Sequence, residues 1–119
     1  MKGATEMNKV DEITRQINCL SEEICETENA QHQLKRTEEA LVMHFHRKKK
    51  FFNSMQIYWR TGDMANRIAD RILQLQREEN KTMDCLAEQQ TGVRRQILAL
   101  EIKEDELYRA RKKAWEEDE

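Results

Sequence analysis

The chain contains no proline and only three glycines, Gly3, Gly62 and Gly92, among its 119 residues. Average usage would give about six prolines and about eight glycines in a chain of this length. Sandwiches, barrels and doubly wound sheets need many turns, and turns depend on these two residue types. The sequence therefore argues against those folds and favours a protein built from long helices.

Apolar side chains in the first half of the chain recur alternately three and four residues apart. This spacing is the seam of a heptad pattern, and it predicts one helix from about residue 8 to residue 59. Gln31, Glu38 and Lys48 are polar residues on the seam, which cost stability but can fix register and partner choice. The seam positions are Val10, Ile13, Ile17, Leu20, Ile24, Thr27, Gln31, Leu34, Glu38, Leu41, Phe45, Lys48, Phe52, Met55 and Trp59.

A turn is predicted at about residues 60–63, near the middle of the chain. Gly62 is the natural left-handed residue to end a helix, and Thr61 or Asp63 can cap the next one. We therefore expect Trp59, Gly62 and Asp63 to form the corner of an all-α, long antiparallel two-helix hairpin, coiled-coil-like and occupying residues 1–119 as a single domain.

The second helix is predicted over about residues 64–115, followed by an acidic, frayed tail at 116–119. Gly92 lies inside this helix, where we expect a bend or a close helix contact without a full break. The apolar stripe of this helix comprises Ile68, Ile72, Leu75, Met83, Leu86, Val93, Ile97, Leu100, Leu107 and Ala114.

A lone hairpin of this kind has little core, because each helix buries only one stripe against its partner. We therefore expect the hairpin to complete a helical bundle with helices of a second copy or of another protein. The heptad pattern permits both a closed hairpin and a continuous helix in a domain-swapped dimer, and only the lone Gly62 favours closure.

Charge and hydropathy indicate a cytoplasmic protein without a membrane span. The net charge is −2, which gives no global attraction to nucleic acid or anionic membrane. No apolar run approaches the length of about 20 residues that spans a bilayer, and the N-terminus lacks the apolar core of a signal peptide. The odd number of cysteines, Cys19, Cys25 and Cys85, predicts reduced and partly buried thiols.

Residue patterns that carry catalysis are missing from the sequence. His44 and His46 lie about 200° apart around a helix and cannot hold one metal from one face. There is no H-E-x-x-H, phosphate-binding glycine loop or G-x-S-x-G motif. Acidic pairs such as Glu38-Glu39 and Glu78-Glu79 are interpreted as solvated surface charges. We expect no catalytic residue, no metal, no cofactor and no small-molecule substrate.

The region before the predicted turn is both aromatic and basic. Five of the seven aromatic residues lie between residues 45 and 59, and residues 40–62 contain no acidic side chain. Core packing explains Phe45, Phe52 and Trp59, which fall on the seam, whereas aromatics beside positive charge are typical of protein interfaces. We expect a protein partner ahead of nucleic acid or membrane. The predicted partner-binding residues are Phe51, Phe52, Tyr58, Trp59, Arg47 and Lys50.

The Trp59-Arg60-Thr61-Gly62 corner between two long helices resembles the WXG-type hairpins of type VII secretion, although two residues rather than one separate Trp59 from Gly62. Residues 104–113, together with this corner, resemble the small α-helical proteins encoded beside LXG-domain toxins in Gram-positive bacteria. Tyr108 is followed four residues later by Lys112, so the Tyr-x-x-x-Asp/Glu export signal of type VII partners is absent.

This resemblance implies a non-catalytic adaptor or targeting chaperone. Such a protein would bind the helical LXG domain of a secreted toxin, alone or with another small helical protein, and promote the export of the toxin, with or without being exported itself. Two alternatives remain open: a structural coiled-coil protein that self-assembles, and a nucleic-acid-binding regulator that uses residues 47–50. Which toxin is bound, and in what stoichiometry, is left open.

Overall fold

The computed structural model describes the backbone of residues 2–118 and the side chains of residues 8–117. It contains two long helices, α1 Lys2–Tyr58 and α2 Asp63–Asp118, with no strand in the described backbone. The predicted all-α hairpin is therefore confirmed. α2 continues through Glu116 and Glu117 to Asp118, past the end expected near residue 115, and Glu119 of the predicted acidic tail lies outside the described residues. No stretch of the described helices is long and apolar enough to cross a bilayer.

Contacts divide the chain into two units, and the first combines Met1–Gln31 with Gly92–Glu119. Its core joins the two helices through small apolar clusters. Val10, Ile13 and Ile17 pack with Ala114, whereas Leu20 and Ile24 pack with Leu100, and Leu107 lies against both groups. Residue numbers rise along α1 as they fall along α2, so the two segments are antiparallel.

The second unit is His32–Thr91 and contains the turn. Phe45, Ile68, Leu75 and Leu86 are its buried apolar residues. Two polar contacts join its helices: the side-chain amide of Gln90 donates to a carboxylate oxygen of Glu38 at 2.8 Å, and Lys49 Nζ lies 2.5 Å from Glu79 Oε2. These pairs also run antiparallel, so within this unit α2 folds back on α1.

The heptad seam describes the packing of α1 well. Thirteen of its fifteen positions are buried or half-buried, and all ten positions named for the α2 stripe are as well. Thr27 is buried with its hydroxyl donating to the carbonyl of Glu23 at 2.8 Å, which satisfies the polar group inside the helix. The two exceptions are Lys48 and Trp59, which are both exposed.

Two expectations about side-chain exposure are wrong. Glu38 and Glu79 were interpreted as solvated, but both are half-buried because each occupies a position between the helices. The thiols of Cys19, Cys25 and Cys85 were expected to be partly buried, but all three residues are exposed and free. Each cysteine falls off the apolar stripe of its helix, so the packing that buries the stripe leaves the thiols outside.

The corner between the helices is built around Gly62, which has a positive φ of 90°. The carbonyl of Gly62 accepts a hydrogen bond from the backbone N–H of Asn66 at 3.3 Å. Gly62 thus occupies the N-cap of α2, and the expectation that Thr61 or Asp63 caps this helix is wrong. Asp63 is instead the first residue of α2, where its negative charge is favourable. Because α1 already ends at Tyr58, Gly62 shapes the corner rather than the last turn of α1.

Gly92 marks neither a break nor a close contact in α2. The helix is continuous through this position, and a Cβ atom built on Gly92 meets nothing within 4 Å. The expected close helix contact is therefore wrong. Gly92 is an exposed helical glycine, which lowers helix stability by about 1 kcal/mol relative to alanine.

Replacing Gly62 with valine is expected to lower the free energy of unfolding by about 2 kcal/mol, because a β-branched side chain is strained at positive φ. Gly92→Val is the matched control, since the same change in open helical space should leave stability equal or slightly higher. Urea denaturation followed by circular dichroism measures both. Equal stability of the two variants would contradict the assigned corner.

Candidate partner-binding site

The face of α1 opposite the seam carries a second stripe of side chains in the unit formed by His32–Thr91. At about 100° per residue these side chains fall within a sector of about 120°. The exposed fractions of the apolar residues in this second stripe are 56% for Met43, 62% for Phe51, 67% for Ile57 and 89% for Tyr58. We call this surface the outer stripe. It consists of Met43, Arg47, Lys50, Phe51, Ile57 and Tyr58, and the small exposed Ser54 lies among them.

The outer stripe is confined to one part of α1. Single exposed apolar residues are normal on protein surfaces, but four within one sector of a single helix form a local concentration of apolar surface, interrupted by Arg47 and Lys50. The corresponding heptad positions nearer the N-terminus are polar or small and are all exposed. These positions are Arg15, Gln16, Glu22, Glu23, Asn29, Ala30, Arg36 and Thr37. An ordinary solvated helix face would continue that composition, so the outer stripe is a local departure from it.

The structure brings together four of the residues predicted to bind a partner: Arg47, Lys50, Phe51 and Tyr58 lie on the outer stripe. Phe52 does not, because it is half-buried on the seam. Its ring meets that of Phe51 edge-on, with centroids 5.6 Å apart and planes at 70°. Phe52 therefore packs against the ring of Phe51 from the seam side of α1.

Trp59 lies just beyond the end of α1 and is 49% exposed. Its backbone N–H donates to the carbonyl of Met55 at 2.9 Å, which extends the helical hydrogen bonding by one residue. The expected core packing of Trp59 is wrong, because the chain has left the helix at this position. The indole lies at the corner together with Gly62 and Asp63.

Two members of the outer stripe, Met43 and Ile57, were missed by the sequence analysis. Met43, Lys50 and Ile57 are spaced seven residues apart, beside a second seven-residue pair formed by Phe51 and Tyr58. This repeat was visible in the sequence. The cation Lys50 interrupts it, so it does not stand out as an apolar stripe.

The outer stripe is positively charged. Arg47 and Lys50 are exposed, and residues 40–62 contain no carboxylate. Within the described side chains, salt bridges join Lys49 to Glu79 and Arg109 to Asp105. Among the described side chains neither Arg47 nor Lys50 has an ion-pair partner, so both charges face solvent. A surface depression of about 680 Å³ borders the stripe, lined by Thr37, Ala40, Leu41, Met43, His44 and Arg47.

Lys49 differs from its basic neighbours because it has a structural partner. The Glu79 oxygen that it approaches is shielded from solvent, although the two side chains keep 44% and 25% of their exposure. Lys49→Met is expected to lower the free energy of unfolding by about 1 kcal/mol, a value limited by this partial exposure. Lys48→Met and Lys50→Met are the controls and should change stability by less than about 0.5 kcal/mol. Thermal melting of the three variants tests this, and three equal shifts would contradict the pairing.

An aromatic and basic group also occurs near the end of α2. The guanidinium of Arg111 lies 4.9 Å from the ring centroid of Tyr108 and 5.2 Å from that of Trp115. Both rings are exposed, and the cation–π contacts hold the three side chains together on the helix. Among the described residues, no cluster of three or more His, Cys, Asp or Glu side chains is placed to hold a metal ion.

Comparison with known proteins gives one family match. The sequence model of a family described as "Protein of unknown function (DUF3958)" matches residues 8–114. This range begins just before Val10, the first seam residue, and ends at Ala114, the last residue of the α2 stripe. No curated protein and no solved structure matches the chain.

Proposed function

The chain belongs to the DUF3958 family, and we propose that it is a non-catalytic helical adaptor that binds another helical protein through the outer stripe of α1. The proposed partner is the helical LXG domain of a type VII-secreted toxin, whose export the adaptor promotes. The LXG assignment rests on the sequence resemblance of the corner and of residues 104–113. The binding mode rests on the geometry of α1.

The observation that carries the proposal is the exposure of four large apolar side chains on one face of α1. A partner that covers these side chains would gain roughly 25 cal/mol per Å² of apolar surface removed from water. Tyr and Arg, both present on the stripe, are among the residues that dominate binding energy at protein interfaces. A stripe along a helix is the form in which one helix recognises another.

The thin core of the hairpin also supports a role in a larger bundle. Within residues 8–117, no large side chain is less than 2% exposed, and the buried apolar residues retain between 3% and 9% of their exposure. Two helices cannot enclose a core, because each leaves most of its circumference in solvent. Additional helices from a partner would cover surface that the hairpin leaves open.

Size-exclusion chromatography with light scattering tests the proposal. The protein is analysed alone and after co-expression with an LXG domain, and an unrelated helical hairpin serves as the control partner. We expect a stable complex with the LXG domain and none with the control. A homo-oligomer that ignores the LXG domain would favour the self-assembling coiled coil. A monomer that binds neither would contradict the adaptor function.

A further inference from the structure

We propose that the outer stripe receives an acidic amphipathic helix of a different protein, with carboxylates that meet Arg47 and Lys50 and apolar side chains that meet Met43, Phe51 and Tyr58. This inference rests on the proposed function and specifies the chemistry of the partner. The acidity and the helical form of the partner both follow from the order in which charged and apolar side chains alternate along α1.

The two cations lie inside the stripe rather than along its edges. Arg47 is one turn beyond Met43, and Lys50 directly precedes Phe51. A partner that covers Met43 and Phe51 must therefore also cover the charges between them. Burying a cation without a counter-charge is costly, so a neutral or basic helix would lose much of what the apolar contacts contribute. A helix bearing glutamate or aspartate at those positions removes this cost.

The spacing of the stripe favours a helix as the partner. Met43, Lys50 and Ile57 repeat every seven residues, and Phe51 and Tyr58 repeat in parallel with them. A seven-residue repeat stays on one side of a helix that packs at a small crossing angle against another helix. The depression beside Met43, which Ala40 and Leu41 also line, offers a place for an apolar side chain of the partner.

A second copy of the chain is a poorer occupant. A two-fold contact of the stripe with itself would bring Arg47 and Lys50 of one copy towards the same cations of the other. The exposed apolar pair Leu98 and Ile102 on α2 is flanked by Arg94 and Arg95 as well as by Glu101 and Asp105. That surface carries charges of both signs, so neither contact within a homo-oligomer supplies uniform acidity.

An anionic membrane is also a poorer match. Helices that lie on membranes have a continuous apolar face with their cations on the polar face. Here Arg47 and Lys50 interrupt the apolar side chains. Inserting Met43 and Phe51 into a bilayer would draw both cations towards the acyl chains.

Fluorescence anisotropy with two labelled three-heptad helical peptides tests the inference on the full chain. The peptides share the same leucine positions and carry either glutamate or lysine beside them. We expect the glutamate peptide to bind at least about tenfold more tightly than the lysine peptide, with an affinity that falls as salt is added. The double variant Arg47→Glu/Lys50→Glu should reverse this preference. The control variant Arg77→Glu/Lys81→Glu, which changes exposed residues of α2 in the same unit, should retain it.

Three results would overturn the inference: affinities of the two peptides within about twofold, no binding of either peptide at about 1 mM, or binding only to phosphatidylcholine–phosphatidylglycerol vesicles. These outcomes are separable from failure of the proposed function. If the LXG complex forms but neither peptide is preferred, the adaptor function stands and the acidic-helix assignment fails. If the glutamate peptide is preferred but no LXG complex forms, the LXG assignment fails and the surface chemistry stands.

Discussion

Replacing Ile17 with alanine is expected to lower the free energy of unfolding by about 3 kcal/mol, the largest loss we expect from a single truncation. Ile17 is only 3% exposed and packs in the cluster that joins α1 to Ala114 of α2. Removing its outer carbon atoms both forfeits apolar burial and leaves a cavity that two long helices cannot easily close. Urea denaturation followed by circular dichroism measures the change.

Ile102→Ala is the matched control for this prediction. Ile102 lies in α2 within the same unit and is 61% exposed, so its truncation should change stability by less than about 0.5 kcal/mol. Both variants gain the same helix propensity, and the difference between them therefore isolates packing. Equal losses at the two positions would show that the seam is not the interface between the helices.

Replacing Phe51 with glutamate is expected to raise the dissociation constant of the partner complex at least about 100-fold. The new carboxylate removes the aromatic contact and places negative charge where an acidic partner helix would lie. The melting temperature should change little, because the Phe51 side chain is exposed and its contact with Phe52 is at the edge of the ring. Isothermal titration calorimetry with the LXG domain measures the affinity.

Leu73→Glu is the control for Phe51→Glu. Leu73 is an exposed apolar residue of α2 in the same unit but is not part of the outer stripe. Its variant should bind the partner as the wild-type protein does. If Phe51→Glu also binds normally, the stripe is not the binding surface. If both variants lose binding, the added negative charge weakens the complex wherever it is placed, and the loss is not specific to the outer stripe.

The fold could be predicted from the sequence because the heptad spacing of α1 has a direct physical cause. Residues three and four apart share one face of a helix, and the absence of proline leaves that face uninterrupted. The failure at Lys48 has a local explanation. An ammonium group is costly to bury in an apolar seam, and Lys48 stays exposed. The adjacent Lys49 instead pairs with Glu79 of α2.

The corner was predicted in position but not in detail. The lone glycine of the central region located it, since a positive φ there excludes most other residues. The role of Gly62 as N-cap was not predicted, because the neighbouring Asp63 carries a side-chain acceptor and ranks above glycine at that position. The corner requires a positive φ at this position, and glycine adopts a positive φ more readily than a residue with a capping side chain.

The candidate site was predicted in part. Composition alone located Arg47, Lys50, Phe51 and Tyr58 in a basic and aromatic segment. Their assignment to one face, and the exclusion of Phe52 from it, required knowing which side of α1 packs on α2. Phe51 and Phe52 are adjacent in sequence and of the same type, so only helix orientation separates an exposed contact residue from a half-buried one.

Site-specific photo-crosslinking tests the central claim, that the outer stripe is the surface that binds a helical partner. A benzophenone amino acid is placed at position 51 or 58 of the full chain, and at position 102 as a control, before irradiation with the LXG domain. The account predicts crosslinked complexes from positions 51 and 58 and none from position 102. Crosslinks from position 102 without any from position 51 or 58 would contradict it.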